Sequence, residues 1–404
     1  MAREHTAWGG VGFGLAAATL AAYQLFKLPP VLPVLIAAYG YERVLAGALM
    51  SVFALCGLLF SLPAGAAVAR FGASRLVLVA CAFFLAGEAV TLAWAENGFV
   101  VLAGRALEGV GFTLCAVVGP LIANLSASRR RLPLVIALTA TWIPAGQVVA
   151  SLVALPLVAA ASWRPLWWLG IALTLALALA ALLRGRGGAT LTPPTTAART
   201  GFMARAERRA LIVVGAVFGL WSGQYFGYMT WLPQYLVEVH GLGESLAAFA
   251  YTLPVAALLL FNVLTGVALS AGVPLVPLFV GSIVVQVAAW FAVPVVGVGA
   301  LGTAALLAYG ITAGITPVCL FAMPSAVMGP GRLNAGAFGI VMTGRNLGVL
   351  IGPVALAAMV EAGGDWSWVW PVFGVVTLAA GLGAAEVGRR LARLGEGAQC
   401  PART

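Results

Sequence analysis

Apolar stretches of about twenty residues or more recur along the whole chain, and their length decides what it can fold into. At 1.5 Å rise per residue, a helix of about twenty residues crosses the roughly 30 Å hydrocarbon core of a bilayer. A transmembrane β-barrel needs segments of about ten alternating residues instead, so it is excluded. Runs broken by charge or turn residues give twelve spans, near 9–37, 44–68, 74–95, 98–124, 133–160, 164–184, 210–237, 245–271, 274–297, 299–328, 334–361 and 367–385. The 8/9 and 9/10 boundaries, around Ala271–Pro274 and Gly297–Gly299, carry no charge. The chain reads as an all-α membrane protein with twelve transmembrane helices. Of its 404 residues 62% are hydrophobic and 8% charged, against about 25% charged in a soluble domain. That excludes a soluble enzyme, a disordered chain and a nucleic-acid binder. Five scattered cysteines form no CxxC spacing, and His5 and His240 are the only histidines, so neither a metal nor a cofactor is expected. Met1 to Trp8 is too short and polar for a cleavable signal, and the first helix is expected to be retained.

Charge sets the orientation. With a cytoplasmic N-terminus, the segments on that side hold 17 of the 22 basic residues, including Arg129–Arg131, and the opposite loops hold only Arg43 and Arg164. This positive-inside bias predicts a multi-pass protein of the plasma membrane (the inner membrane of a bacterium) with both termini cytoplasmic. The net charge of +10 is thus mostly a topology signal. The longest loop, rich in Gly, Pro, Thr and Arg, reads as a linker over 185–209 between an N-terminal six-helix bundle, 1–184, and a C-terminal one, 210–404, with a short tail. The halves repeat faintly. Lys27-Leu-Pro-Pro-Val-Leu32 matches Trp231-Leu-Pro-Gln-Tyr-Leu236, Phe13-Gly-Leu15 matches Phe218-Gly-Leu220, and Leu102, Ala103 and Gly109 match Leu307, Ala308 and Gly314. A nearly constant offset in equivalent helices argues for duplication, and such repeats in membrane proteins point to alternating-access transport.

The loop after span 2, Gly65-Ala-Ala-Val-Ala-Arg70-Phe-Gly72-Ala-Ser-Arg75, resembles the signature loop of the major facilitator superfamily, and Arg105-x-x-x-Gly109-x-Gly111 resembles its span-4 motif. Ser162-Trp163-Arg164 before span 6 fits the same pattern. The loop departs from the signature at Ala69, Ala73 and Ser74, which replace an acidic and two basic positions, so its charged latch is not complete. Within the superfamily, Lys27-Leu-Pro-Pro-Val-Leu-Pro33 and Trp142-Ile-Pro144-Ala-Gly146-Gln147 are loosely similar to the cyanate and nitroimidazole transporter-like branch. The resemblance implies two pseudo-symmetric bundles around a central cavity lined by spans 1, 4, 7 and 10. Gly65, Arg70, Gly72 and Arg75 would belong to its gating loop.

Five ionisable residues fall inside spans: Lys27, Glu88, Arg105, Glu108 and Arg345. Each costs about 2.5–3.5 kcal/mol at a helix centre on insertion scales, so a functional role is the starting hypothesis. Lys27, the only lysine, lies about ten residues, roughly 15 Å, from the outer end of span 1, too deep for its stem to reach the headgroups. Tyr23 and Gln24 adjoin it, and Pro29, Pro30 and Pro33 free carbonyls nearby that need a partner. Arg345, beside Asn346, sits at similar depth in span 11, and on the superfamily fold it would face Lys27 across the cavity. Two cations without an acid on those helices favour an anion; a tie of either to carbonyls or acids is the structural alternative. Glu88 and Arg105, at equal depth on neighbouring helices, are expected to form a structural ion pair, with Glu108 one turn deeper able to replace Glu88 in it. Glu108 or Glu88 is the candidate proton carrier.

Gln224, Tyr228 and Trp231 share one face of span 7, and Tyr309 and Trp142 add to a candidate substrate wall, as do Tyr225, Thr312, Gln147 and Asn262. Trp366, Trp368 and Trp370 read as an interfacial belt. The function expected is a monomeric secondary transporter of a small anion, an organic carboxylate, working as exchanger or proton symporter among membrane lipids. The alternative is multidrug or hydrophobic-compound efflux, which predicts a cavity acid that spans 1, 7, 10 and 11 do not carry. An embedded enzyme or a channel fits neither the absence of intramembrane histidine and aspartate nor the duplicated twelve-span plan. No phosphate-binding GxxxxGK[ST] motif is present, so ATP is not the energy source.

Overall fold

The structure, a computed structural model, describes residues 5–128, 130–160, 162–186, 203–293, 299–329 and 335–399. Most of the expected linker, the 297–299 boundary, Arg129 and Arg332 therefore lie partly or wholly outside the described residues. Every regular element among those residues is helical: α1 Trp8–Phe26, a 3-10 turn Pro29–Val31, α2 Leu32–Tyr39, α3 Arg43–Phe71, α4 Ala73–Ala93, α5 Gly98–Leu125, α6 Leu132–Ala140, α7 Trp142–Ala159, α8 Arg164–Arg186, α9 Arg205–Glu238, α10 Glu244–Ser270, α11 Leu275–Ala292, α12 Ala300–Met328, α13 Ala335–Gly363 and α14 Val369–Gln399. Eleven spans are long and apolar enough to cross a membrane, and the bent pair α6 and α7 makes a twelfth.

Proline chemistry explains the two broken spans. Pro29 and Pro30 lack the N–H groups that the Leu25 and Phe26 carbonyls would otherwise accept, so span 1 divides into α1 and α2. In span 5 the helices meet at 46° around Thr141. Pro144 cannot donate to the Ala140 carbonyl, and the Thr139 and Thr141 hydroxyls bond back to the carbonyls of Ile136 and Leu138.

Packing repeats as the sequence does. Spans 2 and 4, 3 and 4, 3 and 6, 1 and 5, and 1 and 6 pack in the first bundle; 8 and 10, 9 and 10, 9 and 12, 7 and 11, and 7 and 12 do so in the second. Glycines set the closest approaches. On α9, Gly215, Gly219 and Gly223 recur every four residues and meet Gly344, Gly348 and Gly352 of α13. A Cβ on any of these three α13 glycines would land on a carbonyl of α9, so only glycine allows the backbones to touch. In the first bundle Gly14 of α1 and Gly119 of α5 pack in the same way.

The two bundles meet unequally along their length. At the arginine-poor end Arg43 pairs with Glu238 at 2.9 Å, and the Val44 amide donates to Glu361. A Cβ on Gly47 would crowd the Pro353 carbonyl, and the 3-10 turn and α2 lie against α9. Gln234 and the Trp366 indole also donate to Glu238, holding its carboxylate toward Arg43. Beside this seal, outside the spans, Tyr41 donates to the Ala95 carbonyl, and burial pushes its hydroxyl up to about 12, so it remains a donor. Toward the arginine-rich end the bundles part. The outer half of span 5, α7, packs on α10, whereas its inner half, α6, packs on α1, α5 and α7 of its own bundle. Arg70 and Arg75 are exposed there and form no ion pair among the described residues. The bundles are thus sealed together at the arginine-poor end, while α6 at the other end packs within its own bundle.

The Arg43–Glu238 pair is half-exposed, and such pairs are worth about 0.2–1 kcal/mol. A cysteine at buried Val31, in a background lacking the native cysteines, is expected to react up to about fivefold faster with a membrane-impermeant maleimide when Glu238→Gln removes the latch. An unchanged labelling rate would show that the pair does not hold the seal.

Candidate functional site

The broken first span creates the need that the intramembrane charges meet. Arg105, fully buried on α5, donates to the Gln24 carbonyl at 2.7 Å, to the proline-freed Leu25 carbonyl at 3.1 Å and to the Leu49 carbonyl at 3.2 Å. Its fourth partner is Glu108 at 2.5 Å, and its guanidinium lies over the Phe53 ring. Lys27, equally buried, donates to Gln24 at 2.6 Å, Glu88 at 3.0 Å and Glu108 at 3.3 Å. It thereby uses all three of its donors, with Trp167 against its ammonium. Gln24 in turn donates to Thr174, and the Tyr23 hydroxyl donates to the Leu166 carbonyl. Gly170 of α8 leaves the room for Glu88, since a Cβ there would overlap the carboxylate. Two cations and two carboxylates thus balance inside the N-terminal bundle, away from water.

This arrangement revises three expectations. Lys27, Tyr23 and Gln24 turn into their own bundle instead of facing Arg345 across a cavity. Two carboxylates hold the ammonium there. Glu88 bonds Lys27 rather than Arg105, whose acid is Glu108. The Leu25 carbonyl that Pro29 frees is capped by Arg105, not by the lysine.

Arg345 stands differently. The glycine stripe of α13 faces α9, which sets the neighbouring Arg345 and Asn346 at the edge of that contact. The guanidinium lies over Phe226 at 5.5 Å, donates to the Asn346 side chain at 2.9 Å, and has no carboxylate partner among the described residues. Phe226 stacks on Phe26 across the bundle interface, with ring centroids 5.9 Å apart. Nearby, Gln147 of α7 accepts from Tyr225 and donates to Tyr251, so one amide ties α9 and α10 to the other bundle. Gln224 accepts from Tyr309 at 3.0 Å and donates to Gln286, which also takes the Trp221 indole. Asn346 comes close to Gly57 of α3. Phe53, Phe112 and Trp142 form a continuous aromatic wall on the N-terminal side, with centroid separations of 5.6 and 5.7 Å. Phe112 and Trp142 are partly exposed, as are Arg345 and Asn346, although all four sit deep in their spans.

The remaining candidates divide. Asn346 lies at this interface beside Gly57 of α3, Trp142 belongs to the aromatic wall, and Gln224 and Tyr309 bond each other inside the C-terminal bundle. Trp231 donates to the Pro353 carbonyl at the sealed end, and Tyr228 packs inside the C-terminal bundle against Trp290 and Tyr309. There a separate, mainly apolar cavity of about 360 Å³, lined by Tyr228, Tyr309, Trp290, His240 and Phe249, opens between α10 and α12. Trp366 and Trp370 also join that aromatic core, so of the expected belt Trp368 alone is well exposed. Sequence reading passed over Phe26, Phe226, Tyr251 and Gln286, whose spacing is that of ordinary packing residues. Among the described residues no group of three or more metal-ligating side chains occurs.

Two pseudo-symmetric helical bundles with ionisable groups at mid-depth and one end sealed define a membrane-transport fold. The Major Facilitator Superfamily profile matches residues 14–336, and the chain belongs to that family, a family of transporters rather than enzymes. No curated protein matches the chain at a significant level. Among solved structures, one described as the crystal structure of a D-xylose-proton symporter aligns with TM-score 0.74 and 16% identity, over 94% of this chain and 97% of that one. At that identity the likeness concerns the fold.

Breaking one partner out of a buried charge pair costs about 3–5 kcal/mol, because the other charge is left uncompensated. Lys27→Met is therefore expected to lower the melting temperature of the purified protein sharply, and Lys27→Met with Glu88→Gln to recover much of the loss. Equal loss in single and double variants would contradict the pairing.

Proposed function

We propose that this superfamily member moves a small anion, an organic carboxylate, together with a proton by rocking its two bundles around Arg345. The observation that carries this reading is the sorting of charge: both mid-depth cations of the N-terminal bundle hold carboxylates, and Arg345 at the interface holds none among the described residues. A guanidinium stays charged and presents a fork that fits a carboxylate. In a closing, drying cavity it needs a counter-charge, and an anionic substrate supplies one. Asn346 and Trp142 would frame that substrate, while Gln224 and Tyr309 bond each other within the C-terminal bundle. Lys27, Tyr23 and Gln24 would act through the N-terminal network instead of touching it.

The proton's carrier on this reading is Glu88. Each oxygen of Glu108 meets a cation, whereas Glu88 bonds Lys27 through one oxygen, and its second has no hydrogen-bond partner among the described residues. A proton on Glu88 would release Lys27 to Glu108 and loosen the α1, α4 and α5 contact. The D-xylose transporter of the same fold is also described as a proton symporter. Efflux of cationic drugs is disfavoured, since no acid among the described residues faces the interface beside Arg345. The transport unit is one chain, oriented with its arginine-rich end in the cytoplasm of a bacterial inner membrane.

In proteoliposomes with an inward proton gradient, at least one labelled monocarboxylate is expected to accumulate above equilibrium. Arg345→Gln should lower its uptake at least about thirtyfold, as the loss of a desolvated charge contact costs 2 kcal/mol or more. Glu88→Gln should keep anion exchange and lose gradient-driven accumulation. Full uptake by Arg345→Gln would sink the anion reading, and full accumulation by Glu88→Gln would remove Glu88 as the proton carrier.

A further inference from the structure

The interface around Arg345 also carries a statement about the body of the substrate. Its polar side chains are already committed: Gln147 to Tyr225 and Tyr251, Gln224 to Tyr309 and Gln286. A polyhydroxylated ligand such as a sugar would have to break these bonds to be recognised. Among the described residues, a ligand there would find one guanidinium, the amide nitrogen of Asn346, and flat apolar surface on both sides. The C-terminal side offers Phe226, on which Arg345 already lies. The N-terminal side offers the partly exposed rings of Phe112 and Trp142, and Phe53 behind them. Of that bundle's charged groups Arg105 lies over Phe53, and none is found against Phe112 or Trp142 among the described residues; Lys27, Arg105, Glu88 and Glu108 are held together in the sealed network.

We propose that the ligand is a small planar aromatic or heteroaromatic carboxylate, held by its anionic group on Arg345 and Asn346 and by its ring on Phe112 and Trp142. This rests on the anion reading above and adds the class of the substrate's body. The two recognition groups stand on different bundles, so a ligand that satisfies both draws them together, whereas acetate reaches only one. Ring-on-ring contact adds roughly three- to tenfold to affinity beyond the area buried.

The test is ligand-induced thermal stabilisation of the purified full chain with benzoate, acetate, benzyl alcohol and D-xylose as probes. Benzoate is expected to act at concentrations at least about tenfold below acetate, with benzyl alcohol and D-xylose inactive. Trp142→Leu should abolish the preference for benzoate over acetate while acetate still acts, and Trp142→Phe should restore it. Arg345→Gln should remove the response to both anions, with Arg345→Lys retaining part of it. Equal responses to acetate and benzoate, or a preference untouched by Trp142→Leu, would overturn the aromatic class and leave the anion reading standing. Benzyl alcohol acting as well as benzoate, or a full benzoate response in Arg345→Gln, would overturn both. A response to D-xylose alone, or to none of the four probes, likewise overturns the proposal.

Discussion

A charge taken into hydrocarbon must meet an opposite charge or a set of hydrogen-bonding partners, and the interior of this protein is arranged around that requirement. The N-terminal bundle meets it internally. Its broken first span exposes carbonyls, Arg105 caps them, Glu108 compensates Arg105, and Lys27 joins Glu108 to Glu88. Each link creates the need for the next, and the chain of partners closes at zero net charge. Among the described residues the C-terminal bundle has one cation at mid-depth and no acid beside it, and on the proposed reading the substrate supplies the counter-charge.

Rocking requires stiff units joined by a seam that can part. Stiffness comes from backbone contact at glycine, as between α9 and α13, where any side chain would force the helices apart. The seam is mixed: an exposed-edge ion pair, a Gln147 bridge, two stacked phenylalanines, and the packing of α3 on α13, where Gly47 meets the Pro353 carbonyl. Such contacts can be exchanged at modest cost, and the structure shows them made at one end and absent from α6 at the other. The incomplete signature loop fits this state, since Arg70 and Arg75 have no ion-pair partner there among the described residues.

Span number and the charge bias were legible in the sequence because both depend on length and sign alone. So was the list of intramembrane charges, since any ionisable residue in an apolar run stands out. Their partners were not legible. Gly170, on a third helix, leaves the room in which Glu88 meets Lys27, and Arg105 reaches span 1 at the Gln24 carbonyl and the Leu25 carbonyl that Pro29 frees. Both facts arise from tertiary packing between residues far apart in the chain. Depth and sign suggested that Lys27 and Arg345 face each other, and neither quantity reports which way a side chain turns. Phe226 and Tyr251 gave no signal, because aromatic residues at helical spacing are ordinary core.

Arg345 is partly exposed and without a carboxylate partner among the described residues, whereas Arg105 is sealed, and arginine-selective chemistry tests this difference without any substrate. Purified protein in nanodiscs would be treated with phenylglyoxal and its peptides quantified by mass spectrometry. The account predicts modification of Arg345, reached from the arginine-rich end, with Arg105 untouched until the protein is unfolded. Protection of Arg345 equal to that of Arg105, or modification of both at similar rates, would contradict it.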